Sequence, residues 1–205
     1  MSVPVRFEGD LADLATHGFG PRSLIWWGII GFMVVEGMFF ALLFAAYFFI
    51  LDKEQSWPPA PYAPPGLTAG TILTVLIVLT EIPNAVVKKA AETFDLRTVR
   101  KGLVVMSLLP LPLFVLRGFE FASLNVLWTD NAYGSILWAL LLTHTIHLVT
   151  DWGDTVVLAA LMHTEHGKSA SRFVDTSENA AYWRFVWASW LIVYLLIYWV
   201  PRWLT

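Results

Sequence analysis

Residues 24–51 read LIWWGIIGFMVVEGMFFALLFAAYFFIL, and this stretch decides the fold because Glu36 is its only charged residue. A bilayer core about 30 Å thick is crossed by ~20 residues of α-helix, so the run can span it with some tilt. Only α-helices and closed β-barrels satisfy backbone polar groups in lipid, and barrel strands are far shorter than this run. The stretch therefore predicts a transmembrane helix.

Four more apolar runs follow, separated by polar connectors. Of the 205 residues, 57% are hydrophobic and 14% are charged, whereas soluble domains carry ~25% charged residues. The sequence therefore predicts an all-α, polytopic membrane protein in which a polar lead, residues 1–22, precedes a single five-helix domain, residues 23–205. The further spans are expected at about residues 66–87, 102–124, 133–162 and 181–200.

Composition also excludes several classes of function. The chain has no cysteine, which excludes disulfides, thiolate metal sites and cysteine nucleophiles. The net charge of −3 gives no basic bias, so we expect no nucleic-acid partner. The nucleotide-binding, nucleophile-elbow and zinc-protease motifs of soluble enzymes are absent from the sequence. We therefore expect the chain to assist a catalyst rather than to contain the catalytic centre.

Basic residues in the connectors predict the orientation of the bundle. The lead and the second and fourth connectors carry most of the basic residues, whereas the opposite side has Lys53 and Arg202. Positively charged loops stay in the cytoplasm, so the N-terminus is predicted inside and the C-terminus outside. We expect a multi-pass protein of the cell's inner (plasma) membrane. The inner-side basic residues are Arg6, Arg22, Lys88, Lys89, Arg97, Arg100, Lys101, Lys168, Arg172 and Arg184.

Glu36 lies near the middle of the first span, where an ionisable side chain costs roughly 2.5–3.5 kcal/mol on insertion scales. Its own helix offers no charged partner. The carboxyl must face the bundle, a partner or water, or be protonated by desolvation. Three interpretations stay open: a neutral, purely structural carboxyl, a role in proton handling, or a metal ligand.

The fourth span contains His144, His147, Asp151 and Asp154, at offsets of 0, 3, 7 and 10 residues. This spacing places all four on one helix face, which cannot point at lipid. We expect a buried polar network between helices. A metal or haem site is the alternative, but bundle sites of that kind need glutamates from several facing helices, and only Glu36 lies at a comparable depth.

The third span contains a charge pair and a proline pair. Arg117 and Glu120 are three residues apart, which predicts an ion pair; an anchor for a lipid head group or a partner subunit is the alternative. Pro110 and Pro112 each remove a helix hydrogen bond, which predicts a bend.

The first connector contains a proline-rich run, WPPAPYAPP, at residues 57–65. Its prolines favour a stiff, extended path that fixes helix spacing, or else a docking segment for a partner. Trp57 in this run and Arg184 in the fifth span are, with Arg117, the candidate anchors for lipid or another subunit.

Several motifs follow one another along the chain in a characteristic order. Together they resemble subunit III of the haem-copper oxidases, best known from cytochrome c oxidase. No single motif is specific, but their order and spacing across five spans are. The matching motifs are Gly31, Glu36 and Phe40; Trp57-Pro58-Pro59; Glu120; Tyr133-Gly134-Ser135; His144 and His147; Ala181-Tyr182-Trp183; and Tyr198-Trp199.

This resemblance implies a subunit without haem or metal of its own. It would pack against the catalytic subunit I, where haem and copper are expected, bind phospholipid, and support proton uptake and active-site stability. Many members have seven helices, so this chain looks like the shorter form that lacks the first two. The resemblance makes Glu36 the family's buried carboxylate and assigns His144, His147 and Glu120 to its internal polar network.

Departures from the family pattern indicate a divergent member. Arg117 stands where the family has Gln, Arg184 where it has His, and Trp187 where Asp is common. Asp151 and Asp154 are additions. The same subunit of a quinol oxidase or a nitric-oxide reductase is therefore an alternative, and a small membrane transporter or metalloprotein is an alternative of another class.

Overall fold

The computed structural model of the chain describes residues 18–204, and its regular structure in that part is helical throughout. Within residues 18–204, five helical segments are long and apolar enough to cross a bilayer, which confirms the all-α membrane fold. Most of the predicted lead, residues 1–22, lies outside the described residues. The five spans are Leu24–Lys53, Leu67–Glu92, Leu96–Ala122, Ala132–Met162 and Ala170–Trp203.

Prolines divide two of these spans into shorter helices. The second span consists of α2 and α3, which meet at Thr80, and Pro83 cannot donate an amide hydrogen bond to the end of α2. The third span consists of α4 and α5, and it is interrupted at Leu109, where Pro110 begins α5. The helices are α1 Leu24–Lys53, α2 Leu67–Leu79, α3 Glu81–Glu92, α4 Leu96–Leu108, α5 Pro110–Ala122, α6 Ala132–Met162, α7 Ala170–Tyr194 and α8 Val200–Trp203.

The fifth span begins at Ala170, well before the predicted residue 181. Residues 170–180 are mostly polar, so a criterion based on apolar runs places the start of the span too late. The helix continues because Phe173, Val174 and Ala180 are buried in the bundle. At its other end, Leu195–Trp199 forms a π-helical turn between α7 and α8.

Helix α7 is the central element of the bundle, since it packs against α1, α2, α3 and α6. Trp183 and Trp190 are its largest fully enclosed side chains. Each indole also donates a hydrogen bond to a threonine of the second span, Trp183 to Thr80 and Trp190 to Thr74, both at 2.8 Å. The two tryptophans therefore fill the core with their rings and also hydrogen-bond their indole N–H groups.

Helix α1 lies at the edge of the bundle. In an apolar 18-residue segment of this helix, only 6% is buried inside the chain. The buried side chains of α1 are Phe40 and Tyr47. Large apolar side chains such as Val35 and Phe49 are about two-thirds exposed. Such a surface is stable only against lipid or another protein, because exposing it to water would cost ~25 cal/mol per Å².

The first connector is fastened to the bundle through Trp57, which is 3% exposed. Its indole donates to the Tyr47 hydroxyl at 2.8 Å and packs edge-on against Tyr133. The Tyr47 hydroxyl in turn donates to the Leu196 carbonyl at 2.7 Å. The connector therefore links three spans.

Candidate functional site

Glu36 meets two other spans in a group that we name the Glu36 cluster: Glu36, His147 and Tyr182. The Tyr182 hydroxyl donates to Glu36 Oε2 at 2.6 Å. His147 Nε2 lies 3.3 Å from Glu36 Oε1. The carboxyl side chain is 17% exposed and the imidazole 10%. The first, fourth and fifth spans thus converge on one carboxyl in the apolar part of the bundle.

A backbone carbonyl determines which nitrogen of the His147 ring carries a hydrogen in the Glu36 cluster. His147 Nδ1 is 2.7 Å from the Thr143 carbonyl oxygen, which can only accept, so Nδ1 carries a hydrogen. The other ring nitrogen, Nε2, faces the carboxyl across the contact to Glu36 Oε1.

A second group surrounds Arg117, and we name it the Arg117 cluster: Arg117, Glu120, His144, Trp190 and Tyr198. Arg117 Nη1 lies 2.7 Å from Glu120 Oε2, the predicted ion pair. The guanidinium carbon lies 4.2 Å from the centre of the Trp190 ring, and the Tyr198 hydroxyl donates to Glu120 Oε1 at 2.9 Å. Arg117 is 2% exposed and Glu120 is fully buried. This charge pair is therefore closed off inside the bundle.

His144 is held in one tautomer by this cluster. Arg117 Nη2 lies 2.8 Å from His144 Nδ1, and a guanidinium only donates, so Nδ1 accepts. His144 Nε2 then carries the hydrogen and donates to the Val186 carbonyl at 3.0 Å. Both ring nitrogens are occupied, and the imidazole is neutral.

The predicted polar face of the fourth span is divided among separate environments. His144 belongs to the Arg117 cluster and His147 to the Glu36 cluster. Asp151 is 1% exposed and its Oδ1 accepts from Asn179 at 3.1 Å. Asp154, in contrast, is an exposed residue. Asp151 and Asp154 both line a cavity between α1, α6 and α7.

The three candidate anchors differ in exposure. Arg117 and Trp57 are buried against partners of their own chain. The Arg184 side chain is 42% exposed, and its Nε donates to Glu81 Oε1 at 2.5 Å. Asn84 and Trp187 donate to the second Glu81 oxygen at 2.9 and 3.3 Å. Arg184 is thus the candidate that combines a fixed position with an accessible charge.

Sequence reasoning missed the two hydroxyls that complete the clusters, Tyr182 and Tyr198. Both residues lie in motifs that carry the family resemblance, and this was the available signal. Within residues 18–204, no group of three or more His, Cys, Asp or Glu side chains is placed to hold a metal ion.

Comparisons with known proteins agree with this architecture. The family model described as Cytochrome c oxidase subunit III matches residues 7–202. Cytochrome c oxidase subunit 3 of Drosophila melanogaster is 26% identical over 204 residues, which cover 94% of this chain and 74% of the fly protein. The Synechocystis protein of the same name is 23% identical, covering 89% of this chain and 78% of its own. The chain belongs to the cytochrome c oxidase subunit III family.

Proposed function

We propose that this chain is a non-catalytic subunit of a respiratory haem-copper oxidase. It packs on the catalytic subunit I, which carries the haem and copper, in the plasma membrane with its N-terminus in the cytoplasm. It binds phospholipid there and supports proton uptake and active-site stability during oxygen reduction.

The observation that carries this proposal is that the ring nitrogens of both mid-span histidines already have partners within the chain. His144 accepts from Arg117 and donates to Val186, and His147 uses one nitrogen on Thr143 and the other on Glu36. A haem or metal ligand needs an imidazole nitrogen with a free lone pair. Both rings are committed to contacts within the bundle, which favours a structural and proton-related role over redox catalysis.

The surface of α1 supports the placement beside another subunit. Its exposed side includes bulky aromatic and aliphatic residues along the whole helix, with Phe32 52%, Phe39 53% and Leu42 68% exposed. Lipid chains and a neighbouring transmembrane helix both suit such a surface, because apolar packing drives helix association in a bilayer. An oxidase subunit uses both kinds of neighbour.

Affinity purification of the tagged full chain from its native membranes in mild detergent tests this proposal. We expect haem- and copper-containing proteins to co-purify, with an absorption spectrum that identifies the haem types. A quinol oxidase or nitric-oxide reductase partner would be recognised by its electron donor and the haems present. A lone, colourless chain that transports a solute in liposomes would contradict the proposal.

A further inference from the structure

A cavity of about 290 Å³ opens beside the Glu36 cluster, between α1, α6 and α7. Helix α1 contributes an apolar wall, which includes Ile29. The opposite wall carries the titratable and charged groups that face this space: Asp151, Asp154, Arg172, Asp175, Glu178 and Tyr182. Four carboxyls therefore surround the cavity with one arginine, and Arg172 is paired with Asp175 at 2.8 Å.

Asp151 is the group that indicates what fills this cavity. Its Oδ1 accepts from Asn179, but its buried Oδ2 has no hydrogen-bond partner among the described residues. A buried carboxyl oxygen without a donor is costly, so a proton or water must satisfy it. The cavity has a polar wall and room for several water molecules, which makes it suitable for ordered water.

Tyr182 connects this cavity to the Glu36 cluster. The residue lines the cavity, and its hydroxyl donates to Glu36 Oε2 at 2.6 Å. Asp151 lies one helical turn from His147 on the same helix. A hydrogen-bonded path of cavity water, Tyr182 hydroxyl and Glu36 carboxyl therefore needs no rearrangement of the backbone.

We propose that the cavity is a hydrated proton entrance through which the Glu36–His147 pair exchanges its proton with the end of the bundle that carries Arg172. This inference rests on the proposed function, because that function includes support of proton uptake. Asp151 and the three other carboxyls make the cavity attractive to cations.

Each transfer conserves protons and forms one O–H bond for every one it breaks. A protonated cavity water gives its proton to the Tyr182 oxygen while the tyrosine hydrogen passes to Glu36 Oε2. The products are neutral water, tyrosine and a carboxylic acid. Glu36 Oε1 then shares the added charge with His147 Nε2, and the reverse sequence releases the proton.

Infrared spectroscopy of the purified full chain in detergent measures this exchange directly. The carbonyl stretching band of the protonated Glu36 carboxyl is assigned by its loss in Glu36→Gln, at a pH where the band is fully developed. Transfer into D₂O shifts the band as the proton exchanges, and the rate of the shift is the measured quantity.

Two variants test the path by different means. Tyr182→Phe removes the connecting hydroxyl, and Ile29→Trp narrows the cavity without changing a polar group. We expect each to slow exchange about tenfold or more, since losing one hydrogen-bonded relay raises the barrier by an amount of that order. Tyr194→Phe and Val35→Trp are the matched controls, because neither residue lines the cavity, and their exchange rates should equal that of the wild type.

An unchanged exchange rate in either Tyr182→Phe or Ile29→Trp would overturn the inference. Slowing in a control to the same degree would also overturn it, because the effect would then be nonspecific. The experiment is independent of haem co-purification. A chain that exchanges through the cavity but binds no oxidase subunit contradicts the proposed function alone, and the converse result contradicts only the proton entrance.

Discussion

The Glu36 and Arg117 clusters both contain a carboxyl within an apolar bundle, but the two carboxyls differ in burial and in the charge of their partners. Glu120 is fully buried and has a permanent counter-charge, Arg117, 2.7 Å away. The Glu36 side chain is 17% exposed, and its neighbour His147 is not a permanent counter-charge. The first arrangement therefore includes a permanent ion pair, and the second does not.

Position in the bundle explains this difference. The Arg117 cluster connects α5 and α6 with the central α7 and the π-helical turn, where every side is covered by protein. The Glu36 cluster includes the peripheral helix α1 and lies beside a cavity. A closed cluster contributes stability and alignment, whereas the open cluster is the one for which we propose proton exchange.

The largest effect should come from Arg117→Met, which breaks the closed cluster. The substitution keeps the volume but leaves Glu120 buried without its counter-charge, which should lower the free energy of unfolding by about 3–5 kcal/mol. Reversible unfolding in mixed detergent micelles, followed by circular dichroism, measures the change.

Lys168→Met is the matched control for Arg117→Met. Lys168 and Glu165 also lie three residues apart with a contact of 2.7 Å, but their side chains are 60% and 86% exposed. Water screens that pair, so its loss should have little effect on unfolding. Equal effects of the two substitutions would show that burial does not determine the strength of the Arg117 pair.

A smaller effect is expected for Glu36→Gln, which tests whether the open cluster depends on charge. The amide oxygen of glutamine still accepts from Tyr182, so the free energy of unfolding should change by no more than about 1 kcal/mol. Assembly with partner subunits should also remain largely intact. Thermal unfolding and co-purification are the measurements.

Glu120→Gln is the matched control for this test, because it makes the same substitution in the closed cluster. It leaves the Arg117 charge uncompensated and should destabilise the fold far more than Glu36→Gln. If Glu36→Gln abolished assembly, an ionised and structurally paired Glu36 would be the better description, and the contrast between the clusters would fail.

The sequence was sufficient to predict the five spans, because apolar length alone identifies a transmembrane helix. It also placed Glu36 and His144 inside the bundle, since charge and imidazole are costly in lipid. The partners could not be predicted, because they depend on the rotation and depth of each helix. A tyrosine such as Tyr182 suits a lipid interface as well as an interior hydrogen bond.

The predicted single face of α6 illustrates the same limit. Helical spacing places His144 and His147 on one side of the helix, but a helix face several residues wide can contact two neighbouring helices at once. His144 meets α5 and His147 meets α1. Periodicity describes the helix, and the assignment of each residue to a cluster comes from packing.

The smallest effect is expected for Asp95, an exposed carboxylate in a connector between spans. It serves as a water-exposed comparison for the carboxyls of the two clusters. Asp95 caps α4 by accepting from the Thr98 hydroxyl and amide, and these hydrogen bonds lower the pKa of its carboxyl below the ordinary value. The capping contribution is therefore complete above the unfolded-state pKa and is lost as the pH falls through the lower, folded-state pKa. The free energies of unfolding of the wild type and of Asp95→Asn, compared across this acidic range, should converge at low pH.

The salt dependence distinguishes capping from a charge effect at Asp95. Because Asp95 is exposed, raising the salt concentration should leave its hydrogen bonds in place and change the difference in unfolding free energy little. A purely Coulombic role would make that difference decline with salt.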